Sequence, residues 1–115
     1  NINPNDANSY NNRGFSQLNL KAYDLAVKDF NKAIEIDPDN HKYFSSRGLS
    51  YYNLKVYDLG LIDFAKAIEM KSENTGENYY YRGLCKKELG DLKGSNADLQ
   101  ISADMGFEDA KNYLK

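Results

Sequence analysis

The chain has one cysteine, one histidine and two prolines among its 115 residues. Each scarcity removes a class of function. Cys85 alone closes no internal disulfide and builds no cysteine-type metal site, so the sequence gives no sign of an oxidising compartment. The sole histidine, His41, has no second imidazole with which to bind a metal, and its place beside Asn40 at a helix start points to capping or exposure rather than catalysis. No apolar run approaches the roughly 20 residues needed to cross a bilayer. A charge excess of one sign is missing too: 15 basic and 17 acidic residues leave a net charge of -2, which argues against a binder of nucleic-acid phosphates. Carboxylates are scattered without a converging pair for acid-base work, and the glycines follow no phosphate-cradling pattern. The sequence therefore predicts no catalytic residue, no metal site and no cofactor. With 41% hydrophobic and 28% charged residues it suits a single soluble domain, a cytoplasmic one by expectation.

What the chain does have is a repeat. Arg13-Gly14 recurs 34 residues later as Arg47-Gly48, Tyr23-Asp24-Leu25 as Tyr57-Asp58-Leu59, Asp29-Phe30 as Asp63-Phe64, and Lys32-Ala33-Ile34-Glu35 as Lys66-Ala67-Ile68-Glu69. A third copy follows one residue late with Arg82-Gly83, Leu89-Gly90-Asp91-Leu92 and Asp98-Leu99, the extra residue falling in the turn-like stretch 72–76. Apolar residues inside each unit keep helical spacing, as Leu25, Phe30, Ala33, Ile34 and Ile36 do. Breaks at 20–23, 55–57 and 90–92 are too short for a strand but long enough to reverse a helix, so each unit is a helical hairpin.

The pattern predicts helices at about 7–20, 24–37, 41–54, 58–71, 77–89 and 93–105. Asp24 and Asp58 are expected to cap second helices, and Pro38 to end the first unit. Gly106 is expected to stop the sixth helix, with a short helix after it burying Ala110, Tyr113 and Leu114. One domain, 1–115, then divides into units at 7–40, 41–74 and 76–106 with a cap at 107–115. Residues 1–6 read as the tail of an earlier unit, because Ile2-Asn3-Pro4-Asn5-Asp6 repeats the register of Ile36-Asp37-Pro38-Asp39-Asn40. With Asn1 in first place, that register predicts either a piece cut from a longer array or a degenerate unit before this one.

Across essentially its whole length the chain resembles the tetratricopeptide-repeat family. The signature places fall on Tyr10, Arg13, Gly14, Gln17, Ala26, Phe30, Ala33 and Pro38 in the first unit. In the second they fall on Phe44, Arg47, Gly48, Tyr51, Gly60, Phe64, Ala67 and Ser72, and in the third on Tyr79, Arg82, Gly83, Lys86, Ser95, Leu99 and Ser102. Gln17, Gly60, Ser72 and Lys86 depart from the pattern. The resemblance implies an all-α fold, a right-handed α-solenoid of three antiparallel helix pairs with a C-terminal capping helix, whose groove is lined by the first helix of each pair.

Projected onto this chain, the family's groove places are Asn8, Asn11, Asn12, Phe15 and Asn19, then Lys42, Ser45, Ser46, Leu49, Tyr52 and Asn53, then Glu77, Tyr80, Tyr81, Leu84, Lys87 and Glu88. Amides that both donate and accept, interleaved with apolar side chains, imply a non-enzymatic scaffold for an uncharged or mildly amphipathic protein segment. The alternative is a self-associating or spacer module. Some family members grip carboxylate-terminated chaperone tails with a basic clamp, whose places here hold Asn11, Phe15, Ser46, Glu77 and Tyr81. The resemblance therefore implies no such tail.

Two features carry competing readings. Arg13, Arg47 and Arg82 form either an anion-binding ladder or structural pairs with the aspartates Asp29, Asp63 and Asp98, each Arg with an Asp of its own or the preceding unit, and burial of charge favours the pairs. Tyr79 is expected inside, with Tyr80 and Tyr81 leaning toward the groove either as ligand contacts or as partly exposed packing. Cys85 stands where the family wants a small buried residue, which makes it an inert core thiol.

Overall fold

A computed structural model describes residues 3–71, 73 and 75–115. Asn1 and Ile2 of the upstream register and Ser72 of the second signature lie outside the described residues. Among those described there are seven helices: α1 (Ala7–Asn19), α2 (Tyr23–Ile36), α3 (His41–Asn53), α4 (Tyr57–Glu69), α5 (Thr75–Glu88), α6 (Leu92–Asp104) and α7 (Glu108–Tyr113). No helix is long and apolar enough to cross a membrane among the described residues.

Side chains cap three of these helices: Asp6 accepts from Asn8 N–H at 3.0 Å, Asn40 from Lys42 N–H at 3.0 Å and Asp91 from Gly94 N–H at 2.8 Å. Asp24 and Asp58 do not cap as expected. Helices α2 and α4 start one residue earlier, behind Ala22 and Val56, which form no side-chain cap bond. The reason is the hairpin turn. Lys21 and Lys55 take left-handed φ of 63° and 65°, and the next N–H groups, of Ala22 and Val56, reach back to Gln17 and Tyr51 carbonyls at 2.8 and 2.9 Å. The two aspartates are thereby left inside the first turn, where their charge meets the positive helix end.

The hairpins stack, α2 against α3 and α4 against α5, into a body of 45 × 25 × 20 Å. Phe30, Phe64 and Leu99 are the repeated core residues, and each abuts the glycine of its own first helix. A Cβ on Gly14 would lie 2.7 Å from the Phe30 ring. Gly60, which costs about 1 kcal/mol of helix propensity against alanine, sits where a Cβ would come within 3.3 Å of the Gly48 carbonyl oxygen and 3.4 Å of Cys85 Sγ. That departure from the family pattern buries a three-helix contact.

The arginines pair within their own units. Arg13 Nε and Nη2 donate to Asp29 at 2.7 and 2.7 Å, Arg47 to Asp63 at 2.8 and 2.7 Å, and Arg82 to Asp98 at 2.9 and 2.9 Å. Tyr10, Phe44 and Tyr79 each lie under the arginine of their own helix, with ring centroids 5.9, 5.6 and 5.1 Å from it. This stacking corrects the placement of Tyr79: it is half-buried against Arg82, and the buried residue is its neighbour Asn78.

Gly106 closes α6 with φ of 93°. In α7 only Ala110 is buried; Tyr113 and Leu114 are 41% and 40% exposed, against expectation. Six residues make fewer than two turns, so a single residue docks, and the Tyr113 hydroxyl instead accepts from Lys87 Nζ at 2.5 Å.

Cys85 is fully buried, and burial with a smaller push from Glu88 raises its thiol to about 12. The folded chain is expected to resist a thiol-titrating disulfide reagent at pH 8 and to react fully in urea. Fast reaction without denaturant would mean that the α4–α5 packing opens readily. An unfolded thiol ionises near 9.0, so its contribution to stability is complete below that pH and is lost as pH rises toward 12.

Candidate peptide-binding groove

Helices α1, α3 and α5 touch in succession, whereas α2, α4 and α6 make their main contacts with these first helices. The first helices thus form the more closely spaced of the two layers. That layer carries all seventeen groove residues expected from sequence. On α1, Asn8, Asn12, Phe15 and Asn19 are exposed and Asn11 is half-buried with an unpartnered Oδ1. On α3, Lys42 and Asn53 are exposed, while Ser45, Leu49 and Tyr52 are half-buried. On α5, Glu77, Lys87 and Glu88 are exposed, and Tyr80 and Tyr81 are half-buried. Ser46 and Leu84, at 5% and 9% exposure, offer a ligand little surface. Ser46 Oγ is also committed, donating to the Lys42 carbonyl at 2.8 Å.

Six of these residues from three helices, Phe15, Lys42, Ser45, Ser46, Leu49 and Glu77, enclose a cleft of about 150 Å³. That is below the roughly 300 Å³ at which small-molecule pockets begin, and it suits one side chain of a longer ligand. Ser45 Oγ donates to Asn78 Oδ1 at 2.8 Å, tying α3 to α5 behind the cleft, and Asn78 Nδ2 is buried with no partner among the described residues. Asn53 is less free than its exposure suggests, since its Nδ2 donates to the Leu49 carbonyl at 2.9 Å.

Beyond the cleft runs a belt of rings. Tyr57 meets Tyr52 at 5.8 Å, Tyr52 meets Tyr81 at 5.5 Å, Tyr81 meets Tyr80 at 5.0 Å and Tyr80 meets Phe107 at 5.3 Å. Phe64 backs it from the core, stacked on Tyr81 at 5.6 Å and 18°. Burial is the first cause raising the hydroxyls of Tyr52, Tyr80 and Tyr81, the last to about 12, so all three remain protonated donors at neutral pH. Burial and the Asp109 charge push the Glu77 carboxyl up.

A second hollow, of about 300 Å³, lies where α5 begins beside the α6–α7 turn, lined by Glu73, Gly76, Glu77, Met105, Gly106 and Phe107. Sequence reasoning missed Met105, Phe107 and Asp109. Met105 closes α6 at the end of the third unit and Phe107 and Asp109 follow that unit, where the 34-residue register no longer says which way a side chain points. Of the five clamp places, Ser46 is buried and Glu77 is acidic, and none holds a base.

Comparison with known proteins agrees with this architecture. A sequence model of the tetratricopeptide repeat matches residues 7–40. No curated protein matches the chain in sequence. Among solved structures, the tetratricopeptide-repeat domain of Arabidopsis OM64 superposes with a TM-score of 0.85 at 19% identity, covering 94% of this chain and 93% of that one. The first such domain of Spaghetti (RPAP3), bound to the HSP90 peptide SRMEEVD, gives 0.79 at 19% identity over 98% and 96%. YrrB, described as a tetratricopeptide-repeat protein with an unusual peptide-binding site, gives 0.81 at 24% identity over 90% of this chain and 53% of that one. The repeat model thus falls on the first hairpin, residues 7–40, and the described residues share the helix-pair solenoid fold of these tetratricopeptide-repeat neighbours, as three hairpins closed by a short helix.

Proposed function

We propose that the chain is a non-enzymatic scaffold that holds a peptide or helical segment of another protein on its concave face. The observation that carries this reading is the cleft shared by Phe15, Leu49 and Glu77, one residue from each first helix. A surface built by three consecutive units suits an extended or helical ligand laid across them. Two structural neighbours described above are reported with peptides or a peptide-binding site, which supports the class of ligand. The groove's charge differs from a carboxylate clamp, so the ligand is not a chaperone tail of that kind. We assign the units to 7–40, 41–74 and 76–106, with 107–115 as cap and 1–6 as the tail of a preceding unit.

The test is selection from a displayed random peptide library, followed by affinity measurement on one winner. Phe15→Arg and Leu49→Arg are expected to weaken that peptide by tenfold or more with unchanged helicity. Leu25→Arg and Ile62→Arg, at exposed places on second helices, are expected to leave it unchanged. The opposite ranking would move the site to the outer face. A mass that rises with concentration, with no peptide selected, would favour self-association.

A further inference from the structure

The aromatic residues of this protein fall into two sets that differ in charge. Tyr10, Phe44, Tyr51, Tyr79 and Tyr113 each have a cation of the chain itself over the ring, supplied by Arg13, Arg47, Arg82 or Lys87. Among the described residues no arginine or lysine lies over Tyr52, Tyr80, Tyr81 or Phe107. These belt rings are flanked by carboxylates instead. Glu77 and Asp109 act on Tyr81, Asp109 also on Tyr80, and Glu88 on Tyr52 and Tyr57. Glu73 and Glu77 line the hollow that Phe107 closes.

None of Glu73, Glu77, Glu88 and Asp109 forms an ion pair among the described residues. Lys87 is held on Tyr113 by its 2.5 Å hydrogen bond and of these carboxylates its charge reaches only Glu88, while Lys42 shares the cleft with Glu77 without forming an ion pair to it among the described residues. Ring faces carry negative potential, and a carboxylate beside them deepens it. Glu77 and Asp109 are tolerated because each sits in the first turn of its helix, where the backbone offsets a negative charge, but neither gains a counter-ion from the fold.

Resting on the groove reading above, we infer that the end of the concave face formed by Tyr80, Tyr81, Phe107, Glu77 and Asp109 receives a lysine or arginine side chain of the partner segment. The remaining groove, with neutral α1 amides and the small cleft, holds the flanking residues. Charge complementarity thus selects a basic partner, opposite in sign to an acidic chaperone tail.

Library selection with the whole chain tests this when run in parallel against the double variant Glu77→Gln with Asp109→Asn, both at exposed positions. Peptides selected by the parent are expected to carry Lys or Arg at one fixed place. A selected peptide is expected to bind the double variant about tenfold more weakly, and its citrulline or norleucine counterpart to bind both proteins alike. Peptides with acidic or neutral residues throughout, or equal affinity for parent and variant, would overturn the assignment while leaving the groove reading standing. Selection of no peptide by either protein would sink both. A second readout separates binding from folding: Glu77→Gln relieves two facing carboxylates, so it is expected to raise the melting temperature slightly while it weakens the basic peptide. A fall in both would give Glu77 a structural role and overturn the inference.

Discussion

Asp63→Ala is expected to destabilise the protein by about 3 kcal/mol, near the low end of what breaking a buried ion pair costs. Asp63 is 2% exposed and accepts two hydrogen bonds from Arg47, whose side chain retains only 22% of its exposure. Truncation would strand the guanidinium between the Phe44 and Tyr51 rings, at 5.6 and 5.9 Å, with Asn31 Oδ1 of the preceding hairpin as its remaining acceptor among the described residues, at 2.9 Å. The equivalent Asp29→Ala should cost about 1 kcal/mol, because Arg13 is 53% exposed and water can replace the lost partner. Urea unfolding of both variants measures the difference. Equal losses would show that solvent access to the arginine does not set the energy, against the present account.

Phe64→Ala is expected to cost about 4 kcal/mol, within the range for deleting a buried ring from a packed site. The ring is 2% exposed, faces Gly48 and stacks on Tyr81, so its loss opens a void that backbone on one side and an aromatic belt on the other cannot fill. A domain of this size has some 5–15 kcal/mol in total, so the variant should be best studied in the cold. Because Phe64 backs Tyr81, peptide affinity should fall as well, even in the fraction that remains folded. A loss under about 1.5 kcal/mol would mean that the third hairpin collapses onto the second, which close packing around Gly48 opposes.

Much of this was legible in the residues. A 34-residue register with Arg-Gly in each first helix and Asp-Phe or Asp-Leu in each second fixed the hairpins, and no predicted helix end lies more than two residues from its place. That the arginines pair with these aspartates was also readable, since a sixteen-residue spacing recurs in all three units, but the structure chose the partner in the same unit over the one in the preceding unit. Asp24 and Asp58 were misread because capping depends on the turn before the helix, and the left-handed Lys21 and Lys55 leave no sequence mark as clear as Gly90. Tyr79 was misplaced for a related reason: three adjacent tyrosines differ only in azimuth, and stacking on Arg82 settled which way each points. The family resemblance projected the groove residues onto the first helices, but it could not say that Ser46 and Leu84 would be buried or that Asn53 would bond its own helix.

The sequence by itself determined the number of helices and their pairing into hairpins, because those follow from local periodicity and from residues that repeat at one spacing; the inner layer came from the family resemblance. Tertiary structure alone decided the aromatic belt and its carboxylates, which are without an ion pair among the described residues. Tyr52, Tyr80, Phe107 and Asp109 come from α3, α5, the α6–α7 turn and α7, and only stacking of the units brings their rings and charges within reach of one another.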